Sequence, residues 1–311
     1  MNKPERDSKG FKIYVESMAK SSEDKAERIL SLLRTALENN PGDILDLGAG
    51  GGELTRAFLL MAEEFNLKVF ALDKDRRMIK ILKEKFEGQS KIKIVKADVK
   101  NFKLGKKFSA VVCSSILHEI FSERKNVEDV KLILKNIYEH LLPKGVLIIR
   151  DGLKPAPTDD IVFLQPLKPE LFGRFQKILN HTKTSWLKIY AYHNPKKTKL
   201  LMALSRENVY ELIVKYQYLE INWPVEMKEK FGFWTKEEAR VMLEEIGFNV
   251  IHLKSYLLPY FAKMFSCDFR LFEWQDGPAC LAEATSGRRR PGAIEIPYPD
   301  THLVIIAKRG L

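Results

Sequence analysis

The chain has 311 residues, 45% hydrophobic and 30% charged, which is enough apolar material for a full core and rules out a disordered or fibrous protein. Lys and Arg number 52 against 41 Asp and Glu, and the net charge of +11 favours acidic partners. Cys113, Cys267 and Cys280 are too few and too scattered for a disulfide framework or a Cys-x-x-Cys metal site; with no apolar run near the roughly 20 residues of a membrane span, a cytoplasmic protein is expected, with no metal and no membrane partner.

Helix and strand signals alternate through the first half. Ser21-x-x-Asp24 reads as a cap before a helix on which Ile29, Leu30, Leu33 and Leu37 recur at helical spacing, and Asn39-Asn40-Pro41-Gly42 stops it. The strand Asp43–Leu47 ends in Gly48-Ala49-Gly50-Gly51-Gly52. A helix over Leu54–Phe65 leads to the strand Lys68–Leu72 and then Asp73. A helix over Arg76–Phe86 precedes the strand Ile92–Ala97, closed by Asp98. The strand Ala110–Cys113, a helix around Val127–Leu142, the turn Pro143-Lys144-Gly145 and the strand Val146–Ile149 complete the run. Strands alternating with crossover helices predict a parallel sheet covered on both faces.

After Asp151-Gly152 the rhythm breaks, and residues 153–232 lack βα cycles and mix aromatic with basic residues. Thr235-x-x-Glu238 then opens a helix that Gly247 closes, and Asn249–Leu253 reads as a strand. A second irregular stretch, 259–297, separates it from a last strand, Thr301–Ala307. The pattern predicts one α/β core from 1–152, 233–258 and 298–311, interrupted by an aromatic-basic cap at 153–232 and a second insertion at 259–297.

The chemistry gathers at the strand ends. Glycines after a buried strand let the chain turn tightly and let a ligand approach the backbone. Asp46, Asp73 and Asp98 fall at three successive strand ends, which suits a ligand carrying an amine, a diol and a purine. A dinucleotide turn fits less well, because Gly-x-Gly-x-x-Gly started at Gly48 needs a third glycine where Glu53 stands.

With Asp46-x-Gly48-x-Gly50-x-Gly52, Ala71-Leu72-Asp73, Lys96-Ala97-Asp98, Ser114–Glu119 and Leu142–Ile149 in this order, the chain resembles the class I S-adenosylmethionine-dependent methyltransferases. The resemblance covers about 20–151, 235–258 and 298–311. It implies a doubly wound, Rossmann-like seven-stranded sheet of order 3-2-1-4-5-7-6 and S-adenosyl-L-methionine as cofactor. By that resemblance Gly48, Ala49, Gly50 and Gly52 form the turn against its methionine part, with Asp46 ordering the turn and its ammonium contacts. Asp73, with Lys74 beside it, takes the ribose, Asp98 and Val99 flank the adenine, and Ser114 gives a backbone contact near the methionine moiety.

A proton acceptor for methyl transfer belongs near the ends of strands four and five, where His118, Glu119 and Asp151 stand, with His118 and Asp151 as the candidates. Methylation of a base's exocyclic amine is disfavoured, because Ser114-Ser115-Ile116-Leu117 stands where the family resembled typically has an Asn/Asp-Pro-Pro-aromatic motif, and carbon-5 pyrimidine methylation is disfavoured by the position of Cys113 inside an apolar strand. For the acceptor, the window Leu171–Leu200 carries Arg174, Lys177, Lys183, Lys188, Lys196, Lys197 and Lys199 without one acid, interleaved with Phe172, Phe175, Trp186, Tyr190 and Tyr192. Such a surface fits single-stranded RNA, extended by Arg288-Arg289-Arg290. The competing reading makes Phe172, Phe175, Ile178 and Leu179 the buried face of a lid helix, with Trp223–Trp234 lining an apolar pocket, and a small-molecule acceptor is slightly favoured. A noncatalytic cofactor-binding or RNA-binding scaffold of the same fold is the alternative.

Overall fold

The computed structural model of the chain describes residues 22–157, 159–180, 189–193, 201–218, 226–274 and 293–310. The elements begin with α1 (Ser22–Asn39), β1 (Ile44–Leu47), α2 (Glu53–Glu64), β2 (Val69–Asp73), α3 (Arg76–Lys85) and β3 (Ile92–Lys96). Then come β4 (Phe108–Ser114), α4 (Leu117–Arg124), α5 (Val127–His140), β5 (Leu141–Gly152), β6 (Ile161–Pro166), α6 (Pro169–Asn180), β7 (Ile189–His193) and β8 (Leu201–Ser205). The last are α7 (Arg206–Lys215), α8 (Lys236–Ile246), β9 (Phe248–Tyr256), α9 (Pro259–Asp268), β10 (Phe269–Trp274), β11 (Ala293–Ile296) and β12 (His302–Arg309). No helix among the described residues is long and apolar enough to cross a membrane.

The chain divides into two compact units, one from 1–152, 236–254 and 303–311, the other from 153–235 and 255–302. The first holds a seven-stranded sheet of order β3-β2-β1-β4-β5-β12-β9, in which β3, β2, β1, β4 and β5 run parallel. This is the Rossmann-like methyltransferase order expected above, with the last strand in the chain seated between the fifth and the sixth. Buried parallel strands must be apolar on both faces, and every residue of β1 and all of β4 but its last are buried. On α1, Ile29, Leu33 and Leu37 recur at one-turn spacing and pack with Ile44, Val69, Val112 and Ile148. Each such side chain contributes about 1.5–3 kcal/mol by leaving water.

The strand order reverses between β1 and β4, so their carboxyl ends flank the crevice in which open α/β sheets take ligands. The structure corrects the expected run here in two places. β5 starts at Leu141 instead of Val146, because the turn at Pro143-Lys144-Gly145 is absorbed as an irregularity where the register jumps from Phe108 opposite Leu141 to Ala110 opposite Val146. A short helix, α4, also occupies the segment after β4, which the sequence pattern left as a strand end.

The second unit corrects the reading of 153–232 and 259–297 as irregular. Both stretches feed one sheet of order β11-β10-β6-β8-β7, in which each neighbouring pair is antiparallel. Its core gathers Leu164, Phe175, Met202, Leu204, Tyr210, Phe265 and Leu271. Phe175, expected as a stacking platform or a lid face, is fully buried there. α7 is buried from Asn208 to Lys215, so its charged residues need partners inside. Glu211 accepts the Gly232 and Phe231 N–H groups at 2.7 and 3.1 Å and pairs with Lys215 at 2.6 Å. Of the expected basic window, Arg174 is half-buried on α6. The Lys177 side chain lies outside the described residues, as do Trp186, Lys183, Lys188, Lys196, Lys197, Lys199, Trp223, Cys280 and Arg288-Arg289-Arg290.

Candidate functional site

The site grows from the end of β1. Gly48, Gly50 and Gly52 take φ values of 78°, 54° and 80°, the left-handed region that costs other residues strain. Space enforces the same choice: a Cβ on Gly52 would lie 2.7 Å from both Leu82 and Phe86, and one on Gly48 would lie 3.0 Å from Ile116. The amides of Gly48 and Ala49 both donate to the Leu72 carbonyl at 2.9 Å, which stitches the turn to the end of β2.

Two acids meet at this turn. Asp46, 2% exposed, accepts a hydrogen bond from the Thr55 hydroxyl at 2.6 Å. Burial, with the neighbouring charges of Asp73 and Glu53 adding to it, pushes its carboxyl up to about 7. Asp73 accepts the Gly50 N–H and the Asp75 N–H at 2.9 Å each, one on each oxygen. Its carboxyl is also raised by burial, with those amides working against the shift. Each oxygen keeps a lone pair for a further donor. Asp98 stands two residues beyond β3, where one oxygen accepts the Lys100 N–H at 3.0 Å. It joins the other acids through the backbone, the Ala97 N–H donating to the Asp73 carbonyl at 3.1 Å. Val99 is buried beside it, and the enclosed Ser114 hydroxyl has no hydrogen-bond partner among the described residues.

On the far side of β1, the two proton-acceptor candidates are brought together. Asp151, fully buried, accepts the Leu117 N–H at 2.8 Å and the His118 N–H at 3.3 Å, and its other oxygen lies 2.6 Å from His118 Nδ1. One carboxylate thus caps α4 and fixes the imidazole.

Residues 44–145 match the family model described as a methyltransferase domain. The matched segment, residues 44–145, is a methyltransferase domain. A stretch of 68 residues is 32% identical to ribosomal RNA small subunit methyltransferase A of Halothermothrix orenii, spanning 22% of this chain and only 21% of that protein. Among solved structures, a candidate sarcosine dimethylglycine methyltransferase from Galdieria sulphuraria shares the fold with a TM-score of 0.50 at 13% identity, over 94% of this chain and 88% of that one. An S-adenosylmethionine-dependent methyltransferase from Clostridium acetobutylicum gives a TM-score of 0.46 at 14% identity, over 90% and 89% of the two chains.

The methyltransferase domain also uses residues that the sequence reading passed over. Lys85 of α3 donates to the Gly51 carbonyl at 2.6 Å and pairs with Glu53 at 2.7 Å, bracing the glycine turn from the side. Thr55 holds Asp46 from the first turn of α2. Lys74, expected beside the ribose, pairs with Glu123 of α4 at 3.0 Å. Cys113 is fully buried, and burial pushes its thiol well above the ordinary value, with Asp151 and Asp46 adding to the shift. A buried thiol held in its neutral form is a poor nucleophile.

Proposed function

We propose that the protein is an S-adenosyl-L-methionine-dependent methyltransferase acting on a small-molecule acceptor. The observation that carries this reading is Asp46, a carboxylate enclosed beside a bare-backbone turn, bonded by the Thr55 hydroxyl and facing a second enclosed acid, Asp73. Such a pair of acids is short of positive charge, and a ligand with an ammonium and a sulfonium supplies it. When bound, the cofactor supplies an electrophilic methyl group for in-line displacement.

The chain's own residues then bind and orient. Gly48, Ala49 and Gly50 lie along the amino-acid end, and Asp46 faces its ammonium. Asp73 accepts the ribose hydroxyls on the lone pairs left by Gly50 and Asp75. Asp98 and Val99 flank the base, and the Ser114 hydroxyl gains the partner it lacks. Asp151 holds His118 in one orientation, with Nδ1 committed to the carboxylate, and His118 takes the acceptor's proton.

The test is to incubate purified protein with methyl-labelled cofactor and a lysate fractionated into small molecules, RNA and protein. Label in the small-molecule fraction is expected. Label in RNA would instead favour the second reading, which draws on the basic window and on the stretch similar to a ribosomal RNA methyltransferase. Label in no fraction, with the cofactor still bound, would leave a noncatalytic scaffold.

A further inference from the structure

α4 is fastened at its two ends by very different means. At its start the buried Asp151 accepts two of its amides and holds His118, and just before it Ile116 lies against Gly48. At its end Glu123 pairs with Lys74 at 3.0 Å and also with Lys100. Lys74 directly follows Asp73, and the Lys100 amide is bonded to Asp98. In a sheet of order β3-β2-β1-β4, a helix that leaves β4 and reaches the residues after β2 and β3 crosses the end of β1. Eight residues at about 1.5 Å each give about 12 Å, more than the roughly 10 Å from β4 to β2, and the long Lys100 side chain closes the remaining gap to the β3 side. The strap therefore runs from the glycine turn to the two acids assigned to the adenosine.

We propose that Glu123 is a cofactor-retaining residue, latching α4 across the adenosine end of the site and setting how fast the cofactor leaves. This rests on the cofactor reading above. The latch is open to solvent, with side-chain exposures of 49% for Lys74, 30% for Lys100 and 21% for Glu123, whereas Asp151 at the other end is fully enclosed. Exposed pairs are screened by salt and buried ones far less, so the strap releases at its Glu123 end first. Glu123 is held below the ordinary carboxylate value: partial burial opposes its charge, and hydrogen bonds from Lys100 and Lys74 overcome it. One carboxylate shared by two ammonium groups on different loops ties both loops at once.

The experiment follows release of S-adenosylhomocysteine by rapid dilution, a probe with no net charge at neutral pH. Glu123→Gln is expected to speed dissociation about three- to tenfold at low salt. The unaltered protein should approach the variant's rate as salt rises toward 1 M, where the screening length is about 3 Å. A merely structural role would lower the melting temperature without producing that convergence. Equal rates at low salt, or a salt-independent rate in the unaltered protein, would overturn the latch. Should Glu123→Gln fail to fold, Lys100→Met and the salt series decide the same question. If the unaltered protein binds no S-adenosylhomocysteine at any salt, the cofactor reading itself is overturned, an outcome distinct from a bound probe that leaves at an unchanged rate.

Discussion

Asp46 stores a proton that water alone would not leave there. Its carboxyl rises from 3.8 to about 7 on folding because burial disfavours the charge. Folding therefore takes up a proton between these values; the stabilisation is complete below about pH 4 and is lost as pH rises through 7. Between pH 5 and 8 the cofactor-free protein should lose about 2–3 kcal/mol that Asp46→Asn does not lose, read by urea unfolding at each pH. Parallel profiles would mean that Asp46 is ionised throughout. Asp73→Ala is expected to weaken cofactor binding by about 1–3 kcal/mol by calorimetry, the cost of lost hydrogen bonds to a charged acceptor. The strand-end positions of both acids were legible in the sequence, since each falls at the end of a short apolar run. Lys85 and Glu123 were not, because each sits on an amphipathic helix among other charged residues, and only folding reveals which of them meets a backbone carbonyl or a second loop.

At the scale of elements, α4 shows how much one side chain can hold. With eight residues it is too short to persist on its own, since isolated helices need about 12–15 residues to be even marginal. Asp151 supplies its anchor from β5, and Asp151→Ala leaves two helix amides and an imidazole without their acceptor. A loss of about 2–4 kcal/mol is expected in chemical denaturation, and methyl transfer should fall with it. The strands of the first sheet were legible for a simple reason: a parallel strand buried on both faces is a short apolar run, and the runs read at 43–47 and 110–113 fall on the strands 44–47 and 108–114. The second sheet was not. β6 pairs with β10, placing Phe163 opposite Phe272, and no local pattern joins residues so distant along the chain. The strand β10, Phe-Arg-Leu-Phe-Glu-Trp, has half-buried alternation that also fits a loop packed against a core.

For the whole molecule, neither unit is contiguous in the chain. The sheet of the methyltransferase unit depends on β12, which lies between β5 and β9 and whose residues Leu303–Ala307 are buried. Removing residues 302–311 takes the shared neighbour from both strands, so the shortened protein should lose its cooperative melting transition in calorimetry. A sharp transition at the original temperature would show that the first five strands suffice. The same arrangement constrains the newborn polypeptide. β5 is complete at residue 152, but its partner begins at residue 302. At about 5–20 residues per second a ribosome needs roughly 8–30 s to supply it. Throughout that interval one flank of an apolar strand stands open to any neighbour on the polysome, and a chaperone that shields it has most to offer then.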